Sequence, residues 1–269
     1  MADQVGRASG GGMRMETEQP IIEVRDLVKD FGSLRAVNGV SFSVAAGETF
    51  GILGPNGAGK TTTLEMVETL QKPTSGQIMV DGFDVARDAW QVKRRIGIQL
   101  QSATFYPELT LVEQLRMFAA CYDVPVDPEA LLERVGLLDK KKSYPEKLSG
   151  GQRQRFSIAT TLVNQPRIIF LDEPTTGLDP QARVNLWDMI REIKAAGTTV
   201  VMTTHYMEEA EELCDRLAIM DQGKIISMGS PAELIERLLA SGFRKPEVRR
   251  QASLEDVFLT LTGRSLRDE

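Results

Sequence analysis

The sequence predicts an α/β protein with a mixed, mostly parallel sheet that has an antiparallel edge, an inserted helical segment and a C-terminal helical tail. Continuous apolar runs such as Ile168–Leu171 and Thr199–Met202 are typical of strands covered on both faces of a parallel sheet. The alternating run Ser41–Val44 indicates a half-buried strand near one edge. From about Ser102 to Val163 the patterns are helical, without a convincing strand, which predicts a helical insertion.

The individual elements follow in chain order. The predicted strands are Ile21–Val24, Ser41–Val44, Thr49–Leu53, Gln77–Val80, Ile96–Leu100, Ile168–Leu171, Thr198–Thr203, Leu217–Met220 and Lys224–Met228. The predicted helices are Thr61–Leu70, Val112–Tyr122, Pro128–Val135, Ala232–Leu239 and an amphipathic stretch from Ser253 to Leu261. Four of these stretches have readable N-terminal signals: a capping box of Thr110 and Glu113, Asp127 before Pro128, Ser230 before the tail helix, and Ser253 before the last stretch.

Composition excludes several classes of protein. The 269 residues carry 32 Lys and Arg against 38 Asp and Glu, a formal net charge of −6, which argues against nucleic-acid binding. No apolar run approaches the roughly 18 residues of a membrane span, and residues 1–20 lack the apolar core of a secretory signal, so we expect a disordered leader there. Cys121 and Cys214 are expected to be buried small side chains in a reducing compartment rather than a disulfide.

A glycine-rich segment between the strand Thr49–Leu53 and the following helix matches G-x-x-x-x-G-K-[ST]. Its glycines would let backbone N–H groups surround phosphate oxygens at a helix N-terminus. Lys60 would neutralise the β- and γ-phosphates, and the Thr61 hydroxyl would bind Mg²⁺. The alternative is a flexible glycine turn, but the strand–loop–helix setting favours a phosphate loop. The residues expected to contact the nucleotide are Gly54, Pro55, Asn56, Gly57, Ala58, Gly59, Lys60, Thr61 and Thr62.

Two adjacent carboxylates, Asp172 and Glu173, follow the buried strand Ile168–Leu171. They could simply be polar residues where the strand emerges into solvent. Beside a phosphate loop, however, Asp172 suits a direct or indirect Mg²⁺ contact, and Glu173 suits a general base that polarises the attacking water. Strand alternation would point the two side chains in different directions, which permits two roles.

The segment LSGGQRQR, Leu148–Arg155, resembles the signature of the nucleotide-binding subunits of ATP-binding-cassette (ABC) transporters. Ser149, Gly150 and Gly151, with Gln152 next, place a hydroxyl and unobstructed N–H groups at a helix start, which makes a second anion site. The alternative is an ordinary serine-capped helix. In the family, the phosphate loop of one subunit and the signature of another enclose each nucleotide, so the resemblance implies a head-to-tail homodimer.

Further matches occur in the order of that family. Gln101, six residues before Pro107, resembles the glutamine loop that contacts Mg²⁺ and the membrane partner; Gln99 is the competing candidate. Asp179, in Gly177–Pro180, resembles the loop that crosses the dimer interface. Phe31 matches the aromatic residue that stacks on adenine, although a buried core Phe is the alternative.

His205 is the only histidine of the chain and follows the strand and two threonines. It matches the switch position of the family, where it would touch the γ-phosphate, although a lone histidine is usually structural or solvated. The acidic run Glu208–Glu212 after it is expected to be a solvated helix face rather than a metal site.

The resemblance implies a phosphate-loop NTPase core over residues 21–235, a helical subdomain at about 102–163, and a C-terminal extension at 236–269. It implies ATP and Mg²⁺ as ligands, hydrolysis catalysed by Lys60, Gln101, Glu173 and His205, and metal contacts from Thr61, Gln101 and Asp172. The tail resembles subunits that energise export of drugs, lipids or polymers, with import or a non-transport ATPase as alternatives.

Two partners are implied: a second copy and a separate multi-span permease, with no nucleic acid. The subunit would then be cytoplasmic and peripheral on the inner face of the cell membrane. Phe105, Leu109 and Leu111, close to the glutamine loop, are candidate permease contacts, and the interior of the helical subdomain is an equal alternative for each.

Overall fold

The computed structural model describes residues 19–99 and 105–244, which form two sheets and a set of helices. The strands are β1 (Ile22–Phe31), β2 (Leu34–Val44), β3 (Thr49–Leu53), β4 (Ser75–Val80), β5 (Phe83–Asp84), β6 (Ile96–Gln99), β7 (Ile168–Asp172), β8 (Thr199–Thr204), β9 (Arg216–Asp221) and β10 (Lys224–Gly229). The helices are α1 (Lys60–Val67), α2 (Ala89–Lys93), α3 (Leu111–Tyr122), α4 (Pro128–Arg134), α5 (Gly150–Thr161), α6 (Pro180–Ala195), α7 (Met207–Leu213) and α8 (Pro231–Ala240). The predicted stretch Ser253–Leu261 lies outside the described residues.

The larger sheet has the strand order β10-β9-β3-β8-β7-β6. All of its pairings are parallel except β9 with β10, so β10 forms an antiparallel edge. Every residue of β3, β7 and β8 is buried, because helices cover both faces of a parallel sheet. The predicted fold class, a mixed and mostly parallel sheet, is confirmed.

The smaller sheet is antiparallel, in the order β2-β1-β4-β5. β1 and β2 form a hairpin in which Phe31 pairs with Leu34 across a two-residue turn. Both strands are longer than predicted, since register shifts between Val24 and Leu27 and near Asp30 interrupt the apolar alternation of β1. The stacked rings of Phe42 and Phe50, with centroids 5.3 Å apart, join β2 to β3 of the larger sheet.

The described residues between Phe105 and Val163 form α3, α4, α5 and two short 3₁₀ turns, with no strand among them. The capping box of Thr110 and Glu113 starts α3 as predicted, and the Asp127 carboxylate caps α4. Leu111 is 0% exposed, so it belongs to the interior of the helical segment rather than to a docking surface. Phe105 packs on Phe156 with ring centroids 4.9 Å apart.

The two cysteines are free and differ in environment. Cys214 is buried as predicted, but the expectation was wrong for Cys121, which is exposed. The buried face of α3 carries Leu111, Leu115 and Ala119 at four-residue spacing, and Cys121 falls off that stripe.

The described residues fall into two compact units, one that ends at Pro231 and one that begins at Ala232. Within the second unit, the described residues form most of α8, where Ile235, Leu238 and Leu239 recur at helical spacing. The finer boundaries at residues 20 and 235 and the separate helical subdomain remain predictions. Over the described ranges, no helix is both long enough and apolar enough to cross a membrane.

Candidate nucleotide site

The topology brings three distant sequence motifs to one edge of the larger sheet. β3 and β8 pair in parallel so that Leu53 lies beside Thr204, and β7 and β8 pair so that Asp172 lies beside Thr203. The phosphate loop follows β3, Asp172 ends β7, and His205 follows β8. Ligand sites of open α/β sheets lie at the carboxyl ends of their strands, and these motifs meet there.

Two glycines of the phosphate loop are required by close backbone packing. A Cβ atom on Gly54 would lie 2.2 Å from the carbonyl oxygen of Met220. Gly59 has a φ of +99°, and a Cβ atom there would lie 2.5 Å from the carbonyl oxygen of Ala36. The loop is therefore fitted between β2 and the end of β9, which argues against the alternative of a merely flexible turn.

Lys60 begins α1 and is buried. Its ammonium donates to the carbonyl oxygens of Gly54 at 2.9 Å and Pro55 at 3.1 Å, so the side chain curls back over the loop. Nζ also lies 3.3 Å from Oε1 of Glu173. The cation is thus held where the loop backbone and a carboxylate meet.

The Glu173 carboxylate contacts one residue of the phosphate loop and one residue after β8. Besides Lys60, its Oε2 lies 3.2 Å from Nδ1 of His205 and accepts a hydrogen bond from the Thr176 hydroxyl at 3.3 Å. Burial raises the pKa of Glu173, but the contacts with Lys60 and His205 outweigh it and hold that pKa below its ordinary value. Glu173 is therefore ionised at neutral pH, the state that a base requires.

Asp172 has different partners. The Thr61 hydroxyl donates to its two carboxylate oxygens at 3.3 and 3.2 Å, and the Thr203 hydroxyl donates to Oδ1. Hydroxyl and carboxylate oxygens are the ligands that Mg²⁺ prefers, and such sites combine one or two carboxylates with substrate phosphates. The pair of Thr61 and Asp172 fits that metal, and no cluster of three or more His, Cys, Asp or Glu ligands occurs in the described parts of the chain.

The side chains of Asp172 and Glu173 have different partners, but strand alternation, the predicted reason, does not account for this. β7 ends at Asp172, so strand alternation does not extend to Glu173. Instead, Glu173 adopts a left-handed backbone conformation with φ of +47°, which is uncommon for a residue with a side chain.

The predicted second anion site lies at the start of α5. Ser149 caps this helix: its hydroxyl accepts the N–H of Gln152 at 3.3 Å, and the Gln152 side chain accepts the N–H of Ser149 at 3.0 Å. The structure therefore contains the serine-capped helix that was the alternative interpretation. Gly150, the first residue of the helix, is exposed to solvent. Among the described residues, no hydrogen bond or ion pair joins residues 149–152 to the phosphate loop of the same copy. Their neighbour is α6, since a Cβ atom on Gly151 would lie 3.0 Å from that of Ala182.

Asp179 occupies the N-cap of α6, where its carboxylate accepts the N–H of Ala182 at 2.8 Å. Phe31 is 46% exposed at the end of β1, so the alternative of a core residue is wrong. It lies on the same hairpin as Ala36, whose carbonyl touches the phosphate loop. Gln101 lies outside the described residues, whereas Gln99 is buried at the end of β6.

Sequence reasoning missed two residues near the site, Thr203 and Glu209. The acidic run was expected to be a solvated face, but Glu209 is fully buried. Its Oε1 accepts the indole N–H of Trp187 at 3.2 Å, whereas its neighbours Glu208, Glu211 and Glu212 are exposed. The 3.6-residue period of α7 turns one acid of the run inward, a signal that was available beside Ala210 and Leu213.

A sequence profile described as "ABC transporter" matches residues 37–176, more than half of the chain. The chain belongs to the ABC transporter family. It is an ATP-binding subunit, an ATPase that drives a transporter, and ABC subunits of this kind work with membrane permeases and dimerise.

Similar ABC proteins include export subunits. Nod factor export ATP-binding protein I of Ralstonia nicotianae is 37% identical over 93% of this chain and 96% of that protein. Daunorubicin resistance ATP-binding protein DrrA3 of Streptomyces coeruleorubidus is 41% identical over 79% of this chain and 69% of that protein. A dimeric ATP-binding cassette, solved in a post-hydrolysis state with ADP and phosphate, is similar at a TM-score of 0.70 and 27% identity, covering 78% of this chain and 98% of that one.

Proposed function

We propose that this ABC ATPase hydrolyses Mg·ATP to drive export of a drug, lipid or polymer through a separate multi-span membrane subunit. The observation that carries the chemistry is the Glu173 carboxylate between Lys60 and His205, beside the pair of Thr61 and Asp172. The direction of transport is supported by the relatives, whose names specify export and drug resistance.

The phosphate loop binds the nucleotide. Lys60 exchanges its loop carbonyls for the β- and γ-phosphates, and the N–H groups of residues 54–62 surround their oxygens. Thr61 and Asp172 would hold Mg²⁺, with Gln101 as the further ligand that the family resemblance implies. Mg²⁺ when bound supplies neutralisation of phosphate charge. Phe31 stacks on the adenine with its exposed ring.

Glu173 orients and deprotonates the attacking water, and His205 contacts the γ-phosphate. The contact of 3.2 Å between Nδ1 of His205 and Oε2 of Glu173 keeps these two groups in one place. Phosphoryl transfer depends mostly on positioning and charge neutralisation, so a fixed carboxylate between two nitrogen-bearing side chains suits the reaction.

A second copy completes each site. Ser149, Gly150, Gly151 and Gln152 of one copy cover the nucleotide on the phosphate loop of the other, and Asp179 lies at the junction. Because Gly151 packs on Ala182 of α6, whose N–H is bound by the Asp179 carboxylate, the two segments that face the partner are joined within each copy. A two-fold axis then gives two sites per dimer.

The permease docks in an apolar groove between the turn after α1, α2, β6 and α3, with a cavity volume of about 340 Å³. Its lining includes Leu70, Trp90, Ile98, Phe118, Cys121 and Tyr122. Trp90 is 65% exposed, which is unusual for so large an apolar side chain. A helix of the partner inserting here would place the motor at the inner face of the membrane.

The test is a pull-down from native membranes with tagged Glu173→Gln in Mg·ATP, and with Lys60→Ala as the control that should not bind nucleotide productively. We expect a stoichiometric multi-span protein without its own cassette to accompany Glu173→Gln. If an intact, ATP-bound dimer retrieves only soluble proteins or nothing, the exporter assignment fails and the ATPase assignment alone remains.

A further inference from the structure

The backbone at Glu173 is the most unusual feature of the site. Its φ of +47° lies in the left-handed region, which side chains with a Cβ atom rarely adopt. Such conformations persist where surrounding contacts enforce them, and they cluster at functional sites. The contacts at this position therefore identify what the fold uses to hold it.

A single side chain, Thr203, contacts both acidic residues. Its hydroxyl donates to Oδ1 of Asp172 and accepts the backbone N–H of Glu173 at 3.0 Å. The same N–H lies 3.2 Å from the Thr203 carbonyl oxygen, so the turn is held from β8 by both the backbone and the side chain. Thr203 is 0% exposed, so no water competes for these bonds.

We propose that Thr203 is a positioning residue: its hydroxyl joins the Asp172 carboxylate to the Glu173 N–H and holds the left-handed turn that gives the two carboxylates different partners. Without this turn, Glu173 would continue β7 and its carboxylate would leave the space between Lys60 and His205. The inference rests on the proposed roles of Asp172 and Glu173, and it deepens them.

The hydroxyl is not explained by the strand. β8 is buried along its whole length, and Val200, Val201 and Met202 precede Thr203. A valine would fit such a strand at least as well, since it has the same β-branched shape and no polar atom to satisfy. The bonds to the two acidic residues are what a threonine adds at this position.

β8 also provides a matched control in Thr199. It is buried, lies on the same face four residues earlier, and its hydroxyl accepts the N–H of Gly47 at 2.9 Å. Thr199→Val therefore removes a comparable buried hydrogen bond at the far end of the strand. This variant shows how the loss of a buried hydrogen bond in β8 changes kcat and Tm when no acidic residue of the site is involved.

The experiment compares Thr203→Val, Thr203→Ser and Thr199→Val by steady-state ATP hydrolysis, by binding of a fluorescent ATP analogue with Mg²⁺ and with EDTA, and by thermal unfolding. We expect Thr203→Val to lower kcat about 10- to 100-fold, the effect of misplacing a reacting group by about 1 Å. Its KM and the nucleotide affinity in EDTA should stay within about twofold, because the phosphate loop is unchanged. Thr203→Ser should restore kcat to within about threefold, and Thr199→Val should lower Tm without lowering kcat.

Three results overturn the proposal: an unchanged kcat in Thr203→Val, a Thr203→Ser variant as slow as the valine variant, or an equal loss of kcat in Thr199→Val. Glu173→Gln, measured in parallel, separates this inference from the proposed function. If Glu173→Gln hydrolyses ATP at the wild-type rate, the assignment of the base fails. If Glu173→Gln is inactive while Thr203→Val is normal, only the role of Thr203 fails.

Discussion

The ammonium Nζ of Lys60 lies 3.3 Å from Oε1 of Glu173, so the cation of the phosphate loop and the carboxylate after β7 form an ion pair inside the site. Burial raises the pKa of Glu173, and the bond to Lys60 is the largest of the contacts that lower it. A phosphate group bound by Lys60, as proposed, would draw the ammonium away and remove that contact. The basicity of Glu173 is therefore coupled to the position of Lys60.

Glu173→Gln keeps the size of the side chain and removes its charge. We expect turnover to fall by roughly 10²–10⁴, because the attacking water loses its base, while ATP binding stays intact and the ATP-bound dimer accumulates. Phosphate release, nucleotide binding and gel filtration with Mg·ATP measure the three effects. Wild-type turnover in this variant would remove Glu173 from the mechanism.

Lys60→Ala removes the cation from the loop and leaves Glu173 in contact with His205. We expect productive nucleotide binding to be lost, since Lys60 is the charge nearest to the loop carbonyls of Gly54 and Pro55. Equilibrium binding of a fluorescent ATP analogue is the measurement. Lys142→Ala, at an exposed lysine between α4 and α5, is the control and should bind as the wild type does. Equal affinity in Lys60→Ala and wild type would contradict the prediction.

Glu209 gives a pH dependence of stability. Burial raises its pKa above the ordinary 4.5, against the lowering effects of Thr204, Thr175, Trp187 and Arg183. The folded state therefore binds this proton more tightly than the unfolded state, and stability is lost as the pH rises from about 4.5 through the raised pKa.

Glu209→Gln should remove that loss, so its free energy of unfolding should improve relative to wild type as the pH increases from about 5 to about 8. Gln retains an oxygen that accepts the Trp187 N–H. Urea unfolding at several pH values measures the difference, and Glu208→Gln, at the exposed neighbouring position, should show none of it. A pH-independent difference for Glu209→Gln would show that its carboxyl titrates alike in both states.

The two cysteines should differ strongly in alkylation. Burial raises the pKa of the Cys214 thiol to about 12, with smaller effects of Glu209 and Asp215, whereas Cys121 is exposed on α3. Because thiolates are the reactive form, iodoacetamide should label Cys121 first and Cys214 only on unfolding. Peptide mass spectrometry over a urea series measures the alkylation of both cysteines, and in Cys121→Ser only the alkylation of Cys214 remains. Rapid labelling of Cys214 in the native protein would contradict its burial.

Much of the fold was predictable because the sequence patterns are strong where burial is complete. β3 has the predicted bounds Thr49–Leu53, and β7 differs by one residue, since apolar runs on both faces leave little freedom. β1 was predicted too short, because its register shifts break the period of two on which the prediction depended.

The candidate site was predictable as a set of motifs but not as a geometry. Motifs and the family resemblance gave Lys60, Asp172 and His205 as candidates, whereas strand pairing decides which side chains lie close together. The left-handed turn at Glu173 has no local signal, since it is held by contacts from Thr203, thirty residues later in the chain. The inward turn of Glu209 was visible in the helical period, but its bond to Trp187 on another helix was not.

The close packing of Gly54 and Gly59 against the carbonyls of Met220 and Ala36 has a thermodynamic consequence. A loop wedged between two backbone segments is already ordered before a nucleotide arrives, so binding does not have to offset the conformational entropy of forming it. The association rate should then be set by diffusion and charge rather than by loop closure. A methyl group at either glycine would therefore displace the loop backbone that we propose binds the phosphates.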